Sequence, residues 1–250
     1  MRNVTATRYV APLREGGSLP GLVEADDDGL YVTKFRGAGQ GEGALVAEVI
    51  AGELARALCL PVPELAVVNG ASEFADAEPD PEIQELMAAS PGANLGMDFL
   101  PGALPFALPA DPPVEPSFAA DVVWFDALVT NIDRTPRNPN LLVWHGRTWL
   151  IDHGAAFFRQ YGPEPLVQTA HAPTPMLAEH VLLPLAGPLA EADERLAECA
   201  RAAVDDAVAL VPDTWLGDDP SARRRDFANF LHERLDGPRE FVDELERARG

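Results

Sequence analysis

The stretch Thr130-Asn131-Ile132-Asp133-Arg134-Thr135-Pro136-Arg137-Asn138-Pro139-Asn140-Leu141-Leu142, followed by Trp149-Leu150-Ile151-Asp152-His153-Gly154, decides how this chain is read. It reads as a polar loop closed by two prolines and then a short hairpin: a strand at residues 141–144, a His145-Gly146 turn, and a return strand at residues 148–151. A tight turn returns the chain to the level at which it left, so the hairpin predicts Asp133, Asn138 and Asp152 together at one sheet edge. Two carboxylates and an amide oxygen are hard ligands, of the kind Mg²⁺ takes together with substrate phosphates.

Working outward, residues 118–132 form an apolar helix that delivers Asp133 at its end, and Ala155-Ala156-Phe157-Phe158 anchors the loop that follows Asp152. Toward the amino terminus, residues 4–10 read as a strand. Residues 14–21 break regular structure with Gly16, Gly17, Pro20 and Gly21. The amides of Gly17 and Ser18 could cradle phosphate oxygens, since glycine permits close backbone approach. Residues 22–25 and 30–35 then form a hairpin around Asp26-Asp27-Asp28-Gly29. Of the 19 basic residues, all but Lys34 are arginine, and a lysine kept in such a sequence points to a site where a planar guanidinium does not fit.

A helix is expected over residues 44–60, with Glu48 and Glu53 as its acids and Leu45, Val49, Ile50, Leu54 and Leu58 on its buried face. Pro61-Val62-Pro63 ends it. Strands follow at residues 64–68 and 95–100, with an acidic stretch between them at residues 71–90. That stretch reads as a surface insertion holding one short helix at residues 81–89. The proline-rich residues 101–116 make a stiff connector. Residues 189–211 and 221–249 are the two long helices of the carboxy-terminal part, and Arg223-Arg224-Arg225 reads as a solvated helix start.

At 250 residues the chain can bury an ample core, as one large domain or two lobes. A net charge of -21 argues against nucleic acid and anionic membranes as partners, because both would repel it. With no apolar run long enough to span a bilayer and no leader pattern, the expected location is the cytoplasm. Cys59 and Cys199 read as two buried, reduced thiols. No zinc-ligand spacing, Walker sequence or Gly-x-Ser-x-Gly elbow is present.

The order Asp-x4-Asn, strand, turn, strand, Asp-x-Gly is similar to the catalytic and metal loops of protein-kinase-like phosphotransferases. Asn131-Ile132-Asp133-Arg134 through Asn138, with Ile151-Asp152-His153-Gly154, resembles the HipA-like kinases and, more distantly, the phosphoinositide lipid kinases. The lipid kinases have His where this chain has Thr135, and Phe where it has His153. The resemblance implies an α+β, two-lobed protein-kinase-like fold, with a small antiparallel-sheet lobe over residues 1–100, the connector at residues 101–116, and a mostly helical catalytic lobe over residues 117–250. It implies an ATP- and Mg²⁺-dependent transfer of phosphate to a hydroxyl of a protein or small molecule. Asp133 would be the catalytic base, and Asn138 and Asp152 would hold metal. Lys34 would meet the α/β-phosphates and pair with Glu48, which lies nearer the glycine loop than Glu53 does. Gly17 and Ser18 would cover the phosphates, and Phe99 and Leu100 would meet adenine. Two other readings stay open: a catalytically idle nucleotide-binding or scaffold protein, and a nucleotidyl transferase on the same fold. Retention of Lys34, Asp133, Asn138 and Asp152 together favours activity.

Overall fold

Three strands that alternate buried with more open side chains and two that are buried along most of their length build the amino-terminal part of the computed structural model, which describes residues 1–13, 19–39, 41–110 and 112–250. The expected phosphate contacts of Gly17 and Ser18 lie outside the described residues. The strands β1 (Arg2–Pro12), β2 (Gly21–Ala25), β3 (Leu30–Lys34), β4 (Leu65–Asn69) and β5 (Asn94–Asp98) close into a barrel in the order β1-β2-β3-β5-β4. Four pairings are antiparallel, as expected. The fifth, β1 with β4, is parallel, and it closes the sheet so that no edge is left unpaired. Side chains at period two fill the interior with Val4, Tyr9, Val23, Tyr31, Phe35 and Val68. The same period turns Val32 and Lys34 outward, beside Leu22 and Met97, which pair with Val32 on the two neighbouring strands.

The helix α1 (Glu42–Ala57) lies against this barrel, and Leu45, Val49, Ile50 and Leu54 are buried in a core shared with the helical part. It ends three residues before the expected Leu60. Leu60 N–H bonds the Ala55 carbonyl at 3.0 Å and Cys59 N–H bonds Arg56 at 2.9 Å, the paired bonds of a Schellman end, with Cys59 at φ 61. This turn puts the Cys59 thiol at the surface, and Cys199 is exposed as well, so neither is the buried thiol expected. Residues 71–90 are also not the surface insertion expected. Their helix α2 (Pro81–Ala88) buries Ile83 and Met87 in the barrel core.

The connector supplies a short strand, β6 (Leu104–Pro105), that pairs with β7 (Leu141–Trp144), and β7 pairs with β8 (Arg147–Leu150). His145 and Gly146 have φ of 48 and 72, the backbone that matches a two-residue hairpin to strand twist. Leu150 N–H bonds the Pro61 carbonyl at 2.8 Å, tying this hairpin to the segment after α1. The carboxy-terminal part holds the α-helices α3 (Pro116–Leu128), α4 (Leu189–Ala209), α5 (Pro220–Asp236) and α6 (Glu240–Arg249), with short 3-10 turns between β8 and α4. The last two are one helix in the sequence reading. Gly237-Pro238 separates them, because proline lacks the N–H that continuation needs. Arg223 bonds Gln160 and lies over the Phe227 ring, and Arg224 bonds the Val211 carbonyl, so only Arg225 of that trio fits a solvated helix start. Among the described residues, no helix is long and apolar enough to cross a membrane.

Candidate active site

Lys34, on the outer face of β3, meets two carboxylates from distant parts of the chain. Its Nζ lies 2.9 Å from Glu48 Oε2, one turn and a half into α1, and 2.7 Å from Asp152 Oδ1, just past β8. Burial opposes the ammonium charge, but Glu48 and then Asp152 outweigh it and hold Lys34 above its ordinary range. The same exchange works on Glu48. Burial favours its neutral form, and Lys34, followed by His153, overrides this and holds the carboxyl well below its usual range. Glu53 pairs instead with Arg56, so of the two acids on α1 it is Glu48 that serves Lys34. Asp152 adopts φ 56, a left-handed backbone that L residues other than Asn and Asp rarely hold, and its side chain stays 44% exposed. His153 is buried behind it, Nδ1 3.8 Å from Glu48 Oε1 and edge-on to Phe125.

Asp133 opens the loop that faces this trio. The Asn138 amide donates to its Oδ2 at 2.8 Å and the Asn140 amide at 3.3 Å. Burial raises the Asp133 carboxyl above its ordinary value, hydrogen bonding from Asn140 opposes this, and the nearby Asp152 charge adds to the rise. Thr135 and Asn138 exchange two backbone bonds, of 3.0 and 3.1 Å, so Pro136-Arg137 forms the tip of a tight turn. Asn138 uses its amide nitrogen on Asp133, leaving the amide oxygen as an acceptor. Asp152 engages Lys34 through Oδ1, leaving its second oxygen. Among the described residues, no three His, Cys, Asp or Glu side chains form a metal cage.

A buried network beneath the loop has no counterpart in the sequence reading. Arg134, fully buried, donates from Nε to Asp126 Oδ2 at 2.6 Å and from Nη1 to the carbonyls of Asn140 and Ile151. It therefore clamps both chain segments that carry Asp133 and Asp152. Asn131 Nδ2 donates to Asp126 Oδ1 at 3.0 Å. His180 completes the set: its Nδ1 accepts from Leu182 N–H, so its Nε2 carries the proton donated to Asp126 at 2.8 Å. Burial lowers the His180 pKa, in keeping with that neutral ring, while Arg134 outweighs burial at Asp126 and holds it ionised. Arg134 sits beside Asp133 in sequence, and Asp126, an acid set within the apolar run of residues 122–129, was the signal available for it.

Phe99 and Leu100 stand apart from the Lys34 trio. Phe99 N–H is engaged by the Leu30 carbonyl at 2.9 Å, and the Leu100 carbonyl accepts from Ala103. Both residues line a cavity of about 460 Å³ with Pro61, Trp144 and Trp149.

A strand lysine held by a helix glutamate, set over an Asp-x4-Asn loop and an Asp-x-Gly turn, defines a kinase-like protein. The chain belongs to the HipA-like kinase family, whose model matches residues 7–239. Among solved structures it is similar to a crystal structure of the Helicobacter pylori proinflammatory kinase CtkA. The two share 12% identity over 99% of this chain and 98% of that one, with a TM-score of 0.62. That likeness bears on the fold. Comparison with curated proteins finds no match.

Proposed function

We propose that this chain is an ATP- and Mg²⁺-dependent phosphotransferase that moves the γ-phosphoryl group of ATP to a hydroxyl. The observation that carries the reading is Lys34 held between Glu48 of α1 and Asp152 past β8, one ammonium placed by two carboxylates from distant parts of the chain with Asp152 still partly open to solvent. Residues 1–100 act as the nucleotide lobe, residues 101–116 as the connector and residues 117–250 as the catalytic lobe. The reaction then runs in the cytoplasm between the two.

Lys34 receives the α/β-phosphates, oriented by Glu48. The outward face of Leu22, Val32 and Met97 offers an apolar ceiling for the base. Because Phe99 N–H is already bonded, the groups left there for adenine are the Phe99 carbonyl and the Leu100 N–H. Asn138 and Asp152 each present one hard oxygen, which suits Mg²⁺, an ion that takes few protein ligands alongside substrate phosphates. The bound ion would neutralise charge on the transferring group. Asp133 accepts the proton of the acceptor hydroxyl as the new O–P bond forms and the bond to the β-phosphate oxygen breaks, releasing ADP. Its raised pKa suits a base.

Transfer of label from γ-labelled ATP to lysate proteins or metabolites, with Mg²⁺, tests this reading. Asp133→Asn keeps size and hydrogen bonding, and its turnover is expected to drop by about 10² or more, the scale of general-base loss. Equal turnover by wild type and variant, or no transfer by either, contradicts it.

A further inference from the structure

The chain has 40 acidic residues and 19 basic ones, so a base has an acid within reach almost anywhere on its surface. Most arginines are accordingly engaged. Arg2, Arg8, Arg195 and Arg201 pair with carboxylates at the surface, and Arg134 and Arg234 bond acceptors in the interior. Among the described residues, the side chains of Arg137, Arg147 and Arg225 make no hydrogen bond, ion pair or ring contact. Arg147 and Arg225 lie on the hairpin turn and on α5. Arg137 alone of the three stands in the candidate site, four residues after Asp133 and next to Asn138.

Its backbone is fixed although its head group is free. Pro136 presets the turn, the two Thr135–Asn138 backbone bonds close it, and the Asn138 amide fastens it to Asp133 at 2.8 Å. Pro136, Arg137 and Asn138 are all exposed. A guanidinium on a pre-set turn loses little freedom when it captures a planar anion with two parallel hydrogen bonds. A small molecule at an open surface would keep most of its area in water, whereas an extended polypeptide can cross it.

We propose that Arg137 selects the acceptor, receiving a carboxylate of an acidic polypeptide segment that flanks the hydroxyl presented to Asp133. This rests on the phosphotransferase reading. The acidic surface as a whole draws basic segments, so Arg137 and the long-range field predict opposite preferences.

The test is an array of serine peptides bearing Glu or Lys at each flanking position, assayed with ATP and Mg²⁺. The wild type should favour Glu over Lys at one flanking position by about tenfold or more, the scale of a charge-assisted hydrogen bond. Arg137→Ala should flatten that preference and Arg137→Glu should invert it at the same position. A wild-type preference for Lys, or a Glu preference that survives Arg137→Glu, overturns the proposal. So does loss of activity by Arg137→Glu on every peptide, which would place the residue in the transfer step itself. ATP consumption with no peptide phosphorylated overturns the polypeptide acceptor. No ATP consumption at all overturns the phosphotransferase reading beneath it.

Discussion

Lys34 carries the argument furthest among single residues, because its two partners come from α1 and from the turn after β8. Replacing it with arginine keeps the charge but sets a wider, planar group between two carboxylates placed for an ammonium. Lys34→Arg should lose turnover by roughly 10², as removal of one preorganised donor does, with an unchanged circular dichroism spectrum; normal turnover would refute the steric argument. Asp133 supplies a pH test with a definite sign. In the proposed role of base it must be ionised, and burial with the Asp152 charge raises its pKa, so turnover should fall as pH drops through a value above the ordinary carboxylate pKa of about 3.9. A pH-rate profile of wild type with a limb at or below that ordinary value would contradict this assignment. Lys34, Asp133, Asn138 and Asp152 were legible in sequence because their types and spacing are constrained by chemistry. The Asp126–Arg134–His180 network was not, since it joins residues up to 54 apart through tertiary packing that no local pattern encodes.

The secondary elements were legible in their kind and less so in their ends. Alternation placed β1, strand propensity with turn residues placed the β2–β3 and β7–β8 hairpins, helical spacing placed α1 and an apolar run placed α3. Both helices stop short of the expected residue at Schellman ends whose left-handed position holds Cys59 or Thr130, with φ of 61 and 49, rather than glycine. Pro61 still marks the end of α1 in the sequence, two residues beyond Cys59, whereas no glycine or proline follows α3 before Pro136, so nothing local marks its stop. At α3 the end is further held by Arg234, whose Nε and Nη2 donate to the carbonyls of Leu128 and Ala127 at 2.9 and 2.8 Å. That cation at a helix carboxy terminus fixes where the Asp133 loop begins. The left-handed residues predict a stability effect. An L residue there costs roughly 1–2 kcal/mol, while glycine costs roughly 0.5–1 kcal/mol in unfolded-chain entropy. Cys59→Gly should therefore stabilise by about 0.5 kcal/mol, seen as a higher urea midpoint at unchanged slope. A lower midpoint would mean that the thiol makes contacts that outweigh the backbone strain.

At the scale of the molecule, α1 is the joint, packing on the barrel strands and on α4 within one continuous core. The α+β class came from the resemblance carried by residues 130–154, and the strands of the amino-terminal part followed by the helices of the carboxy-terminal part agree with it. Barrel closure was not, because the parallel β1–β4 pairing joins Arg2–Thr5 to Ala66–Asn69 across some sixty residues, and pairing partners leave no mark in strand periodicity. Nor was the burial of α2, whose acidic surroundings hide the apolar pair Ile83 and Met87. In the proposed function this joint brings Lys34, Glu48 and Asp152 together to hold a metal-bound nucleotide. Calorimetric titration of ATP into wild type and Asp152→Ala, with and without Mg²⁺, tests it most directly. Wild type should bind ATP more tightly with Mg²⁺ than without it, and the variant's affinity should be weaker by about tenfold or more, the scale of one charge-assisted contact. Equal affinity in both proteins at every Mg²⁺ concentration, or no ATP binding by wild type, would contradict it.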